Sequence, residues 1–197
     1  MNLLVSHDCG RFRRARREIL AVLKRLGDDS AEVQRSGVNG IALVCTTLDG
    51  RDVIRRCAEL ARENFTFEFA IKWVPVDYWC DSDLEAIRKL LETKVRDQIA
   101  EGETWGLQVA KRRWEQYHTR DIVVNLARAI DRKVDLRRPD KLVRVDMMGR
   151  QTAISVLRPD EVFSVRRSQR VSAAMACASP PVTQVIDSKS SVSGVSV

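Results

Sequence analysis

The order of hydrophobic periodicities across residues 3–74 is the feature that most restricts this chain's fold. Leu3-Leu4-Val5-Ser6 reads as a short buried strand. Residues 11–26 then place Phe12, Ala15, Ile19, Val22, Leu23 and Leu26 at helical spacing, and Gly27 supplies a stop. Residues 32–36 and 41–47 read as a hairpin about a Gly37–Gly40 turn that contains Asn-Gly. Past Asp49-Gly50, residues 51–63 return to the helical period with Val53, Ile54, Cys57, Leu60 and Ala61. Residues 65–74 alternate as a strand. Strand, helix, strand, strand, helix, strand is the split βαβ, ferredoxin-like order.

The second half repeats the alternation with different spacing. Pro75 ends a strand and Val76–Asp83 reads as a connection, with Asp81 or Ser82 as a helix cap. Residues 83–101 form one apolar stripe closed by Gly102. Residues 105–110 predict a strand running into Lys111-Arg112-Arg113. A polar loop follows over residues 114–119, with Thr119 as cap for a helix over 120–131. Val134-Asp135-Leu136 is extended and Arg138-Pro139-Asp140 turns. Residues 142–148 and 151–157 form a hairpin at Gly149-Arg150. The expected class is α+β: a ferredoxin-like domain over residues 1–75, an α/β domain over 76–167, and a disordered tail over 168–197, where eight of the residues are Ser. Trp73, Tyr78 and Trp79 are expected to staple the two domains together, and Cys45 and Cys57 to fill the core.

Charge narrows the function classes. The net charge is +7, and residues 105–150 hold 12 Lys and Arg against 6 Asp and Glu. Arg is the dominant cation, and its planar fork grips phosphate at two points. No segment approaches the roughly 20 apolar residues of a membrane span, and the N-terminus lacks the pattern of a secretory signal. A cytoplasmic location without a membrane partner is the expectation. Five cysteines without a CxxC, and two distant histidines, argue against a disulfide framework and against a metal site. No P-loop, GxGxxG or GxSxG occurs, so no cofactor is expected.

A catalytically bare, basic unit points to a polyanion binder. Lys111, Arg112 and Arg113 sit between a strand end and a helix start, where free backbone N–H groups favour phosphate. His118, Thr119 and Arg120 lie at that helix start, Arg128 and Arg132 on its polar face, and Lys133 follows. Arg11 and Arg14, with Arg13, Arg16 and Arg17, crowd the N-terminal part of the first helix, where the macrodipole disfavours cations and a ligand would offset the cost. Trp114, Tyr117 and His118 interleave with the cations. Rings there can stack on unpaired bases, although Trp114 reads better as core packing.

The segment KRRWEQYHTRDIVVNLARAIDRKVDLRRPDKLVRVDMMGRQTAISV resembles the THUMP domain, an RNA-binding module of tRNA-modifying enzymes. The resemblance rests on Lys111-Arg112-Arg113, His118-Thr119, Val134-Asp135-Leu136, Pro139-Asp140, the strand over 142–148 and Ala153-Ile154-Ser155-Val156. The preceding unit resembles the ferredoxin-like domain that accompanies THUMP, so the resemblance spans residues 1–167. It implies tRNA binding around the acceptor arm and its single-stranded 3′ end, with phosphate contacts from Lys111, Arg112, Arg113, Arg120 and Arg128. The chain ends too early for the catalytic domains of that family. It is closer to the stand-alone THUMP adaptor of tRNA cytidine acetylation, which implies no active site and an RNA acetyltransferase or another tRNA-modifying enzyme as partner. Two alternatives stay open: a small RNA-modifying enzyme using Cys80 or His118, and a basic scaffold for an acidic protein.

Overall fold

The computed structural model describes residues 1–166, so the expected tail at 168–197 lies outside the described residues. The fold is α+β, with two sheets packed face to face and helices on the outer face of each.

In the first unit the chain runs β1 (Leu3–His7), α1 (Phe12–Arg25), β2 (Glu32–Arg35), β3 (Ile41–Cys45), α2 (Gly50–Arg62) and β4 (Ala70–Pro75). These strands lie in the order β2-β3-β1-β4 and every pairing is antiparallel, which is the ferredoxin-like topology that the periodicities predict. Ala15, Ile19, Val22 and Leu23 of α1 and Val53, Ile54, Cys57 and Leu60 of α2 bury one stripe each against Leu3, Val5, Val44 and Trp73. The Asp49 carboxylate caps α2 by accepting from the amides of Arg51 and Asp52, both at 2.9 Å.

Beyond α2 the strand expected over 65–74 begins only at Ala70. The Glu18 carboxylate takes the amides of Glu68, Phe69 and Ala70 at 3.1, 3.0 and 3.0 Å, so those donors are withdrawn from the ladder. Phe67 turns inward onto Trp73.

The second sheet contains β5 (Tyr78–Asp81), β6 (Trp105–Arg112), β7 (Lys141–Met148) and β8 (Gln151–Leu157) in the order β5-β8-β7-β6. Only β6 and β7 are parallel, and α4 (Thr119–Ala127) makes the crossover between them. β5 replaces the connection expected over residues 76–83. Tyr78 and Cys80 face the second core and Trp79 faces the first sheet, a period of two too short to show between Pro75 and two aspartates.

The helix expected over 83–101 is α3 (Leu84–Leu90), followed by a π turn over Leu91–Val95 and a 3₁₀ turn over Arg96–Gln98. Its cap is Asp83, not Asp81 or Ser82, accepting from the amides of Glu85 and Ala86 at 3.1 and 3.0 Å. The buried Ile87, Leu91, Val95 and Ile99 recur every fourth residue. On a regular α-helix that spacing drifts about 40° per step. The wider π turn keeps them on one face.

The inner faces of the two sheets meet at Leu4, Ile41, Leu43 and Val74 from the first and Met148, Ala153 and Leu157 from the second. Ser155 donates to the Pro75 carbonyl at 2.6 Å, and Arg51 reaches across to Asp77 at 2.7 Å and the Val156 carbonyl at 2.8 Å. Trp79 is the staple among the three expected aromatics, packing on this layer and donating to the Met1 carbonyl at 2.7 Å. Trp73 belongs to the first core and Tyr78 to the second. Cys57 is buried as expected, but Cys45 is exposed, because the second sheet covers Ile41 and Leu43 and stops short of the last residue of β3. The chain then returns to the first sheet. β9 (Phe163–Ser164) pairs with β4, and the Phe163 ring closes on Phe67 at 4.8 Å. The first core is thus completed by a residue from far downstream.

Candidate nucleic-acid interface

The expected interface residues divide between the two ends of the second sheet. Lys111 and Arg112 end β6, and Arg113 follows at its exit. The chain then turns through Trp114–His118 into α4, which packs back along β6. Arg128 occupies the C-terminal cap of α4, so Arg132 and Lys133 fall beside the start of β6. Their carbonyls accept from the Trp105 indole at 3.1 Å and the Trp105 amide at 2.9 Å. Trp105 and Arg112 are seven residues apart on one strand, about 23 Å. A single phosphate cluster from Lys111 to Lys133 is therefore excluded by the β6–α4 geometry.

The two groups also differ in what their side chains do. Arg132 is half-buried, and its guanidinium donates to the carbonyls of Ile99 at 3.3 Å and Asp131 at 2.9 Å. It ties the end of α4 to the end of the preceding helix. At the other end, Lys111 donates to the Tyr117 carbonyl at 2.7 Å, which folds the loop. Arg113 is exposed and donates to the Gly37 carbonyl of the first unit at 2.7 Å. Arg120 and His118 are exposed. Among the described residues none of these cations forms an ion pair with a carboxylate; the ion pairs lie elsewhere.

Thr119 is not the cap of α4. His118 holds the cap position with extended backbone, and no side chain bonds to the first-turn amides. The first turn of α4 thus keeps free N–H groups at a surface that also carries Lys111, Arg113 and Arg120. Trp114 is packed, 7% exposed, and its indole donates to the Ser82 carbonyl at 2.9 Å. Tyr117 is half exposed beside it, with ring centroids 5.8 Å apart, and offers an open ring face at this end.

The Arg113–Gly37 bond joins this end of the second sheet to one end of the first. The Ser36–Gly40 turn links β2 to β3, and the Gly40 carbonyl accepts from the His7 amide at 2.8 Å where β1 leads into α1. Arg11 therefore lies on the same end, at the cap of α1, and its side chain makes no cap bond. Arg14 is exposed and stacks over Phe69 at 5.6 Å, while Arg35 stacks over Phe12 at 4.2 Å. Lys72 of β4 and Arg112 of β6 belong to the facing inner surfaces. Burial holds the Lys72 ammonium below the usual lysine range, and the charges of Arg144 and Arg112 push in the same direction. Asp146 opposes this only in part, because it is bound bidentately to Arg144 at 2.5 and 2.9 Å.

A cleft of about 770 Å³ opens between the two units beneath Arg113. Ser36, Gly37 and Val38 form one wall, and Asp81, Arg150 and Gln151 the other. Arg113 at its rim has φ +54°, a left-handed conformation that costs a residue with a Cβ roughly 1–2 kcal/mol. Of these residues the sequence marks only Arg113 as a candidate. Gly37 and Gly149-Arg150 are legible as turns, but nothing along the chain brings the two turns together. Among the described residues no group of three or more His, Cys, Asp or Glu is placed to hold a metal. No helix among them is long and apolar enough to cross a membrane.

No family model matches the chain. It is similar to an uncharacterized protein of Methanocaldococcus jannaschii, MJ0421, with 30% identity over 146 residues, covering 72% of this chain and 37% of that protein. The chain thus spans well under half the length of that relative. Among solved structures it resembles PH1313 from Pyrococcus horikoshii Ot3, with a TM-score of 0.57 and 13% identity, covering 80% of this chain and 55% of that one. TrmN from Thermus thermophilus gives 0.53 and 18% identity, covering 81% and 46%. A 4-thiouridine synthetase solved in complex with RNA and bound ATP gives 0.50 and 16% identity, covering 80% and 41%. At these identities the likeness is one of fold.

Proposed function

We propose that this chain binds tRNA and acts as a non-catalytic adaptor for a tRNA-modifying enzyme, in the manner of the THUMP adaptors that its sequence resembles. The observation that carries the reading is the collection, from both sheets at one end of the fold, of cations without a carboxylate partner among the described residues. Arg11, Arg112, Arg113 and Arg120 converge there, and a bond between the units holds the two sides together. The fold supports it, since one protein of similar fold was solved in complex with RNA. In this reading the two units, divided near Pro75, flank the acceptor arm and its 3′ end, and Tyr117 stacks on an unpaired base. An RNA acetyltransferase is the proposed partner.

The side chains available for chemistry favour an adaptor over an enzyme. Burial, with the charges of Asp81 and Asp83, pushes the Cys80 thiol up to about 11, so little thiolate forms near neutral pH. His118 is exposed, and among the described residues no base or carboxylate orients its ring.

The test is a tRNA titration across a range of salt. Log affinity should fall against log salt with a slope of about −3 or steeper, as expected when these four cations displace counterions. Affinity that ignores salt, or equal binding to an acidic polypeptide, overturns RNA as the ligand. Turnover of tRNA by the chain alone, given acetyl or methyl donors, overturns the adaptor role.

A further inference from the structure

We propose that the cleft between the Ser36–Gly40 turn and the Gly149–Arg150 turn seats one unpaired nucleotide whose base carries an amino group, in preference to uracil. This rests on the RNA-binding reading above and assigns it a base-reading subsite.

The cleft has the volume of a small-molecule site, about 770 Å³, and both units contribute walls. Its two turns carry glycines with φ of +75° and +69°, Gly37 and Gly149, so backbone rather than side chain faces the space at those points. Two guanidinium groups and one carboxylate line the same space. Arg113 is anchored through one nitrogen to the Gly37 carbonyl at 2.7 Å, and its other donors have no partner among the described residues. Arg150 and Asp81 are exposed, and among the described residues Asp81 pairs with neither arginine. Opposite charges that share a cleft without neutralising one another are each available to a ligand. The arginines suit a phosphate, and the carboxylate suits a hydrogen-bond donor.

Register supplies the base-reading geometry. Asp81 of β5 and Gln151 of β8 are direct cross-strand partners, so their side chains stand on the same face about 5 Å apart at Cβ. Asp81 accepts only, whereas the Gln151 amide can donate. An acceptor beside an amide that can donate or accept complements an amino group next to a ring nitrogen, unprotonated on the pairing edges of adenine and cytosine and protonated on that of guanine. Uracil presents a carbonyl oxygen where the amino group stands, and Asp81 repels it.

The experiment measures binding of the full chain to short single-stranded RNA oligomers of adenine, cytosine or uracil, by fluorescence anisotropy at fixed salt. Wild type should bind the adenine and cytosine oligomers at least about 5-fold more tightly than uracil, the lower bound for a good paired contact. Asp81→Asn, isosteric at an exposed site, should bring that ratio close to one. Arg150→Ala should weaken all three oligomers by a similar factor. Thermal melts of both variants confirm folding. Equal affinity of wild type for the three oligomers overturns the proposal, and so does an unchanged ratio in folded Asp81→Asn. If tRNA still binds with the salt slope above, only the subsite falls. If wild type binds neither tRNA nor oligomer, the RNA-binding reading falls with it.

Discussion

The two ends of strand β6 carry similar charge and use it differently. At its start, Arg132 places its guanidinium on the Ile99 and Asp131 carbonyls, and the carboxylates of Asp135 and Asp140 hold turns by accepting from the backbone amides of Arg137, Arg138 and Thr104. At its end, Arg112, Arg113 and Arg120 have no carboxylate partner among the described residues, and the first unit adds Arg11 alongside. Charge density alone does not separate the two. What separates individual cations is whether their donors are committed to the protein's own carbonyls: Arg132 at the start and Lys111 and Arg113 at the end are committed, whereas Arg112 and Arg120 have no such bond among the described residues. A cation bonded to backbone is a structural tie whose loss costs stability, whereas an uncommitted one costs ligand affinity.

Three kinds of substitution can break that contrast. The largest expected effect is on binding. Charge reversal at Arg11, Arg112 and Arg120 together should lower tRNA affinity about 100-fold or more near 0.1 M salt, since each lost phosphate contact also alters counterion release. Reversal of Arg128 and Lys133 at the other end should cost less than about 3-fold, a weak long-range effect across more than a Debye length. Filter binding with both variants decides, and equal losses would erase the distinction between the ends.

Stability should show the converse. Arg132→Met should lower unfolding free energy by about 1 kcal/mol in urea denaturation, as two carbonyls lose their donor. Arg120→Met should leave it within about 0.5 kcal/mol. Asp28, at the end of the first sheet away from the cations, extends the test to pH. Its buried carboxylate accepts from Thr46, Ser30 and the Thr47 amide, which holds it well below the usual carboxylate range. Because its folded pKa is depressed, its contribution is fully present above the unfolded value near 3.9 and is lost as pH falls from there through the folded pKa. Asp28→Asn should remove about 1–3 kcal/mol at neutral pH and flatten the acid limb of the melting profile.

The smallest effect concerns Lys72. Its depressed pKa means that the unfolded chain holds its proton more firmly, so stability should rise with pH through the interval between the folded and unfolded values. Lys72→Met should raise Tm by a few degrees at neutral pH and remove that alkaline rise. A lowered Tm would mean that the ammonium already has a compensating partner.

Much of the architecture is legible along the chain because local period reports which face is buried. Ile19 with Val22 and Leu23, and Val53 with Ile54 and Cys57, announce their helices, and the hairpins at Gly37–Gly40 and Gly149-Arg150 stand where expected. The errors fall where a distant group overrides the local pattern. Glu18 takes the amides of Glu68 to Ala70, β8 recruits Tyr78–Asp81 into a strand, and the fourfold repeat from Ile87 to Ile99 is accommodated by a π turn.

The sequence by itself determined the element order of the first unit with its ferredoxin-like topology, the positive charge and the candidate residues for contact with a polyanion. Only the tertiary structure decided which of those residues stand together. It separated Arg132 and Lys133 from Lys111 through Arg113 by the length of β6, and it brought Arg113 to Gly37 across 76 positions of sequence. The physical reason is that hydrophobic period is local, set by each element's own burial. The neighbourhood of a surface charge is set by how sheets stack and where strands end, and no short window of residues records that.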